Sequence, residues 1–344
     1  MKITTRKAVR LGAVALAATF ALAACAPAGA ADSATGAVDS TTGLTPEVST
    51  LRYENIPNIL NLPELAKALG YLDSVDLERV GVYSGPAQNV QSTVTGQLDV
   101  GAGGNGSILQ AKVDNLGLTS VVGYVAFSEE SAGGIYVLDD SGIESAQDLV
   151  GKSATGLNGL PGVVLREYLT RADVDLADVE AIDLPFTNVL EQSLRAGDIS
   201  AGYFSGLIEE SLLDAGGVTP LVTDYELFPE ATNCTYFFSD DFIAENPNTV
   251  RIFVQAVNRA IEWATTHTRD EVVEVYTEYL RADDRAEDAE SFAANWKTTG
   301  FNSEKLGTLE ASDFDLFLND LVRTGKVAEG EIDVESVFTN EFAE

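Results

Sequence analysis

The residues best suited to chemistry in this chain are small, polar and set in loops: Asn55, Asn58, Ser84, Gln88, Asn105, Ser107, Asn158, Thr187, Tyr203 and Ser205. Most lie where a strand-like run gives way to a helix-like one, and none is a nucleophile beside a base. The chemistry open to them is recognition. Free backbone N–H groups at a helix start, flanked by small donors, hold an anion without needing a cation. Asn, Ser and Gly are also what turns and caps require, so each residue taken singly has a purely structural reading. Tyr53, Tyr83, Phe127, Phe186 and Phe204 lie near the same ends, as pocket wall or as core.

Composition narrows the alternatives. The chain has one histidine, His267, at the end of a helical run where a solvated last-turn side chain is expected, and two cysteines, Cys25 and Cys234. Cys/His zinc sites, Cys–His nucleophilic pairs and multi-histidine metal centres cannot be built from these. No Gly-x-Ser-x-Gly elbow is present. The expectation is a protein that is not an enzyme, with no catalytic residue, no metal and no cofactor. Gly101-Ala102-Gly103-Gly104-Asn105-Gly106 does fit the dinucleotide pattern Gly-x-Gly-x-x-Gly. The acidic residue needed about 20 positions on is not in place. Close approach of backbone to a small ligand is the preferred reading of these glycines.

The elements that must position the polar set begin after an export signal. Lys2, Arg6, Lys7 and Arg10 precede an apolar stretch of about 14 residues ending in Leu22-Ala23-Ala24-Cys25. This is the layout of a lipoprotein signal, too short to span a bilayer. It predicts removal of 1–24, lipid on Cys25 and a place on the extracytoplasmic face of the cell membrane. Residues 25–48 are small and polar and read as a flexible tether. The leader carries four of the 21 Lys+Arg and no acid, leaving 17 basic against 54 acidic residues, a net charge near −37. Nucleic acid is excluded as a partner, since it requires a basic surface.

From Leu51 the chain alternates strand and helix, which argues a parallel sheet flanked by helices. The grammar returns 101 residues later: Gly96-Gln97-Leu98-Asp99-Val100-Gly101 matches Gly197-Asp198-Ile199-Ser200-Ala201-Gly202. The same offset carries loops 55–58, 84–87 and 103–107 close to 157–161, 184–187 and 204–206, which predicts two similar α/β lobes. A helical tail follows. Val250, Phe253, Val254, Val257 and Ile261 form one apolar face, Thr268-Arg269-Asp270-Glu271 reads as a capping box, and 285–297 and 312–324 read as further helices. In open α/β sheets ligands bind beyond the carboxyl ends of the strands, where the polar loops of both lobes would meet.

Ala68-Leu69-Gly70-Tyr71-Leu72, Gly96–Gly101, Asp148-Leu149-Val150-Gly151-Lys152, Leu194–Ile199 and Glu245-Asn246-Pro247 together resemble the periplasmic-binding-protein type II superfamily. The group resembled is the NMT1/THI5-like one, which serves nitrate, sulfonate, taurine and thiamine-precursor ABC importers. The resemblance implies two lobes joined by two crossing segments, 49–132 plus 238–344 and 133–237. It implies a monomer that closes on a small solute and delivers it to an ABC permease. A small organosulfonate, nitrate or taurine-like solute is expected, with a pyrimidine or thiamine precursor as the alternative. A sensing module for a membrane receptor is the alternative from another class. The fungal thiamine-precursor enzymes of this fold depend on a histidine and a cysteine-rich segment that this sequence lacks.

Overall fold

The computed structural model describes residues 37–129, 133–156, 158–184, 188–229, 231–298, 300 and 305–344. The first lobe runs β1 (Thr50–Asn55), α1 (Leu62–Ala68), β2 (Asp76–Val82), α2 (Pro86–Val94), β3 (Gly101–Gly104), α3 (Asn105–Val113) and β4 (Leu118–Ala126). The chain then crosses into β5 (Gly134–Leu138), β6 (Ser153–Thr155), α4 (Gly159–Arg171), β7 (Glu180–Ile182) and α5 (Asn188–Ala196). β8 (Gly202–Phe204), α6 (Gly206–Ala215), β9 (Val218–Thr223) and α7 (Asp224–Leu227) complete the second lobe. β10 (Thr232–Ser239) returns to the first, followed by α8 (Asp240–Glu245), α9 (Pro247–Thr266), α10 (Arg269–Ala282), α11 (Ala286–Asn295) and α12 (Ser312–Arg323).

Both sheets follow one plan. β1 and β2 pair in parallel, and Asp99 and Val100, entering β3, donate to the Arg52 carbonyl of β1. β3 and β4 each pair antiparallel with β10, and so run parallel to one another. In the second lobe β6 and β7 are parallel, Ala154 bridges in parallel to Ala201, and β5 lies antiparallel between β8 and β9. In each sheet the antiparallel strand is the one that arrives from the other lobe. The sheets are therefore mostly parallel, as the alternation predicts. The offset from Gly101 to Gly202 superposes α2 on α5, β3 on β8 and α3 on α6 in sequence register.

Burial explains the elements. The predicted face of α9 is buried, with Val250, Phe253, Val254, Val257 and Ile261 at 0–1% exposure. Each such side chain contributes roughly 1.5–3 kcal/mol. One core joins β1, α1, β4, β10 and α9–α11, and a second joins α3 and α12. The second lobe has its own cores around β5, α4 and β8. Phe127, Val163 and Leu316 form a small cluster linking a crossing segment, α4 and α12.

Three local details depart from the simplest reading of the sequence, the first being Asn61, which has the type and position of a cap for α1. Asn61 flanks α1 but does not cap it; its amide oxygen accepts from Ile56 N (2.9 Å) and its amide nitrogen donates to Tyr276 Oη (3.1 Å). Part of the stretch read as a tether is docked. Glu47 accepts from the backbone N–H of Asn248 (3.1 Å) and Thr249 (2.9 Å), a carboxylate on the start of α9 where the helix dipole favours it. The glycine motif serves packing in part: a Cβ on Gly101 would lie 2.2 Å from the Phe237 ring and one on Gly106 2.7 Å from Phe317, while Gly104 and Gly106 also wall a cavity.

Candidate functional site

Three cavities are lined by elements of both lobes; one, about 470 Å³ between α4 and α12, is lined by none of the polar loops, and the other two are. The smaller, about 340 Å³, is walled by Gly104, Gly106 and Ser107 at the start of α3, and by Asn158, Gly159 and Leu160 at the start of α4. Asn233 and Cys234 of β10, and Phe317, Asp320 and Lys326 of the tail, complete it. Neither helix has a side-chain cap, whereas α8 and α10, which start away from this cavity, are capped by Ser239 and Thr268. First-turn N–H groups are thus left without side-chain partners. Arg166 and Asp320, both largely buried on this wall, neutralise each other through bonds of 2.5 and 2.8 Å. Lys326 is exposed and makes no ion pair among the described residues. Burial pushes the Cys234 thiol up to about 12, so it stays protonated.

The larger cavity, about 900 Å³, lies between Pro57–Ile59 and Trp296–Thr298 on one side and Ser205–Glu210, Tyr136 and Tyr225 on the other. Its wall is acidic, with Glu129, Glu209, Glu210 and Glu226 against Lys297. Lys297 pairs with Glu210 at 3.1 Å across the lobes. Glu209 is buried and accepts from Tyr136 Oη at 2.5 Å. Burial raises its carboxyl to about 7. Behind it Asp224, raised by burial to about 6, accepts from Tyr203 Oη at 2.7 Å.

The polar residues singled out in the sequence divide among these places. Ser107 and Asn158 line the smaller cavity; Ser107 Oγ donates to the Gly104 carbonyl (2.6 Å) and Asn158 donates to Asp183 (3.0 Å). Asn58 and Ser205 line the larger one, Asn58 accepting from Ser291 Oγ at 2.6 Å. Ser84, just before α2, and Gln88, in its first turn, are exposed and line neither cavity. Three residues are committed inside the protein. Asn105 is fully buried and donates to the carbonyls of Thr232 and Asp313, both at 2.8 Å, clipping α3 to β10 and α12. Tyr203 is core, and Asn55, with its amide turned to suit its neighbours, donates to Gly81 O (3.2 Å) and accepts from Arg285 (3.1 Å). Thr187, Phe186 and Cys25 lie outside the described residues.

Sequence reasoning missed the acid at the heart of each lobe. Glu64, fully buried, accepts from Tyr53 Oη (2.5 Å), from Tyr276 Oη and from Arg285 (2.7 Å). Its partners lie up to 221 positions away, so no local pattern announces the network. Glu209 has a local signal, an acid one turn inside a helix that opens at Ser205-Gly206. The Phe317, Asp320 and Lys326 wall has none, because the tail reaches the cavity only through the fold.

The fold places these cavities among known proteins. The periplasmic aliphatic sulphonate binding protein SsuA from Escherichia coli superposes with a TM-score of 0.64 at 16% identity, covering 85% of this chain and 92% of that one. The periplasmic nitrate-binding protein NrtA from Synechocystis PCC 6803 gives 0.63 at 13% identity, covering 87% and 88%. The desulfurization enzyme DSZB gives 0.58 at 19% identity, covering 86% and 98%. At these identities the likeness is one of fold. No curated protein matches the sequence. A family model described as NMT1/THI5 like matches residues 64–270, more than half of the chain, and the chain belongs to that family.

Proposed function

We propose that this protein is the extracytoplasmic solute-binding component of an ABC importer. It is anchored by lipid on Cys25, captures a small organosulfonate or related anion between its lobes and delivers it to a membrane permease. The observation that carries the reading is the 340 Å³ cavity, where the uncapped starts of α3 and α4 face in from different lobes beside Lys326, which is unpaired among the described residues. Such N–H groups and one ammonium recognise an acid group, and Leu160, Val163 and Phe317 accept an apolar tail. A solute touching both lobes favours the closed arrangement, which is what a permease can distinguish from the open one. The sulfonate- and nitrate-binding neighbours of the same fold support this class of solute. The enzyme neighbour raises turnover as the rival; binding without chemical change separates the two.

The test is thermal denaturation of the purified protein with alkanesulfonates, taurine or nitrate, with the solute recovered and assayed afterwards. At 100 times its dissociation constant a ligand adds ~2.7 kcal/mol of stability. A rise of several degrees, reduced in Lys326→Ala and with the solute unaltered, is expected. No shift from any of these solutes removes the small-anion reading, and desulfonated product makes the protein an enzyme.

A further inference from the structure

The acidic cavity calls for a different ligand chemistry from its smaller neighbour. We infer that it is a second recognition site, taking an organic cation with an aromatic or apolar body, and that Glu209 is the residue that reads the positive charge. Four observations converge there. Glu209 is 9% exposed, and among the described residues only its Oε1 is engaged, by Tyr136; Oε2 has no partner there, yet it is not sealed inside the protein. The indole N–H of Trp296, 6% exposed and on the same wall, has no acceptor. Leu207 and Leu213 line the cavity at 44% and 48% exposure, apolar surface left in water for want of a cover. Lys297, the one cation among the described lining residues, is turned to Glu210 and not to Glu209.

A carboxylate held in place by a phenol, with its other oxygen free and aromatic rings beside it, is a seat for an amidinium or ammonium. The charged and titratable groups facing Glu209 are Tyr136 on β5, Tyr203 on β8, Asp224 on α7, Glu210 on α6 and Lys297 beyond α11. Burial and the two neighbouring acids raise the Glu209 carboxyl to about 7, against the pull of Tyr136 and Lys297. Without a bound cation it is therefore protonated for part of the time at neutral pH. A cation binds the ionised form, so its affinity rises with pH through this range. The ionised fraction at pH 8 is about ten times that at pH 6, and the apparent affinity scales with it.

The experiment is calorimetric titration of the whole protein with benzamidine, benzamide and benzoate, which share a shape and differ in charge. Benzamidine is expected to bind with one-to-one stoichiometry, about tenfold more tightly at pH 8 than at pH 6. Benzamide and benzoate should be at least tenfold weaker. Glu209→Gln keeps the hydrogen bond to Tyr136 and should lose the preference for benzamidine and its pH dependence. Tyr136→Phe leaves the acid but removes the bond that favours its ionised form, so the midpoint of the pH profile should move up. The alkanesulfonate response of the smaller cavity should survive both changes, which also reports that the variants are folded. Benzamidine binding no better than benzamide, or unaffected by Glu209→Gln, overturns the inference; an acidic surface attracting any cation would behave in the second way. Loss of the sulfonate response in the parent protein speaks against the proposed function and leaves this site to stand on its own data.

Discussion

At the scale of single residues, the chain separates groups that recognise from groups that hold. Asn105 and Asn158 stand in loops that each open a helix, yet one is fully buried between two carbonyls and the other is exposed at a cavity mouth. Nothing in either residue type distinguishes them. The difference comes from α12, which covers the first loop and has no counterpart over the second. The buried Glu64–Arg285 pair is the clearest holding device. Its charges are removed from water but fully bonded, so deleting one partner leaves the other stranded. Arg285→Ala should lower the unfolding free energy by about 3–5 kcal/mol in urea titration. A loss below 1 kcal/mol would mean that water reaches Glu64.

At the scale of elements, helix starts differ in what satisfies their first N–H groups. α3 and α4, which open on the smaller cavity, lack side-chain caps, whereas α7, whose cap Thr223 lines the larger one, and α10 carry complete capping boxes. Thr268 Oγ1 accepts from Glu271 N (3.4 Å), and Glu271 accepts from Thr268 N (2.8 Å). Thr268→Ala should cost about 1 kcal/mol, measured by chemical denaturation, without changing solute binding. That capping box was legible in four consecutive residues, as was the apolar face of α9, because both are local patterns. Asn61 shows the limit. It has the type and position of a cap, but Ile56 and Tyr276 offer its amide better partners from outside the helix. His267, by contrast, behaves as its position suggests, exposed on the last turn and stacked on Trp263 at 4.1 Å.

At the scale of the whole molecule, acidity and the exchanged strands dominate. The formal net charge is −33 over the full chain, and self-repulsion of that size opposes compaction. Raising the salt from about 10 mM to 150 mM shortens the screening length from about 30 Å to 8 Å. The melting temperature should rise by several degrees over this range; a flat response would show that ion pairs already offset the repulsion. The lobes are tied by the two crossings and by Arg166–Asp320, Arg323–Glu167 and Lys297–Glu210. The sequence by itself determined the two-lobe α/β plan, the repeat register, the helical tail and the scarcity of histidine and cysteine. These rest on local periodicity and on composition, which survive without long-range contacts. Only the tertiary structure decided that β5 and β10 trade places between the sheets and that α12 walls a cavity. It also decided which loop residues face that space. Such outcomes depend on packing between segments as much as 221 positions apart, and no neighbouring residue encodes them.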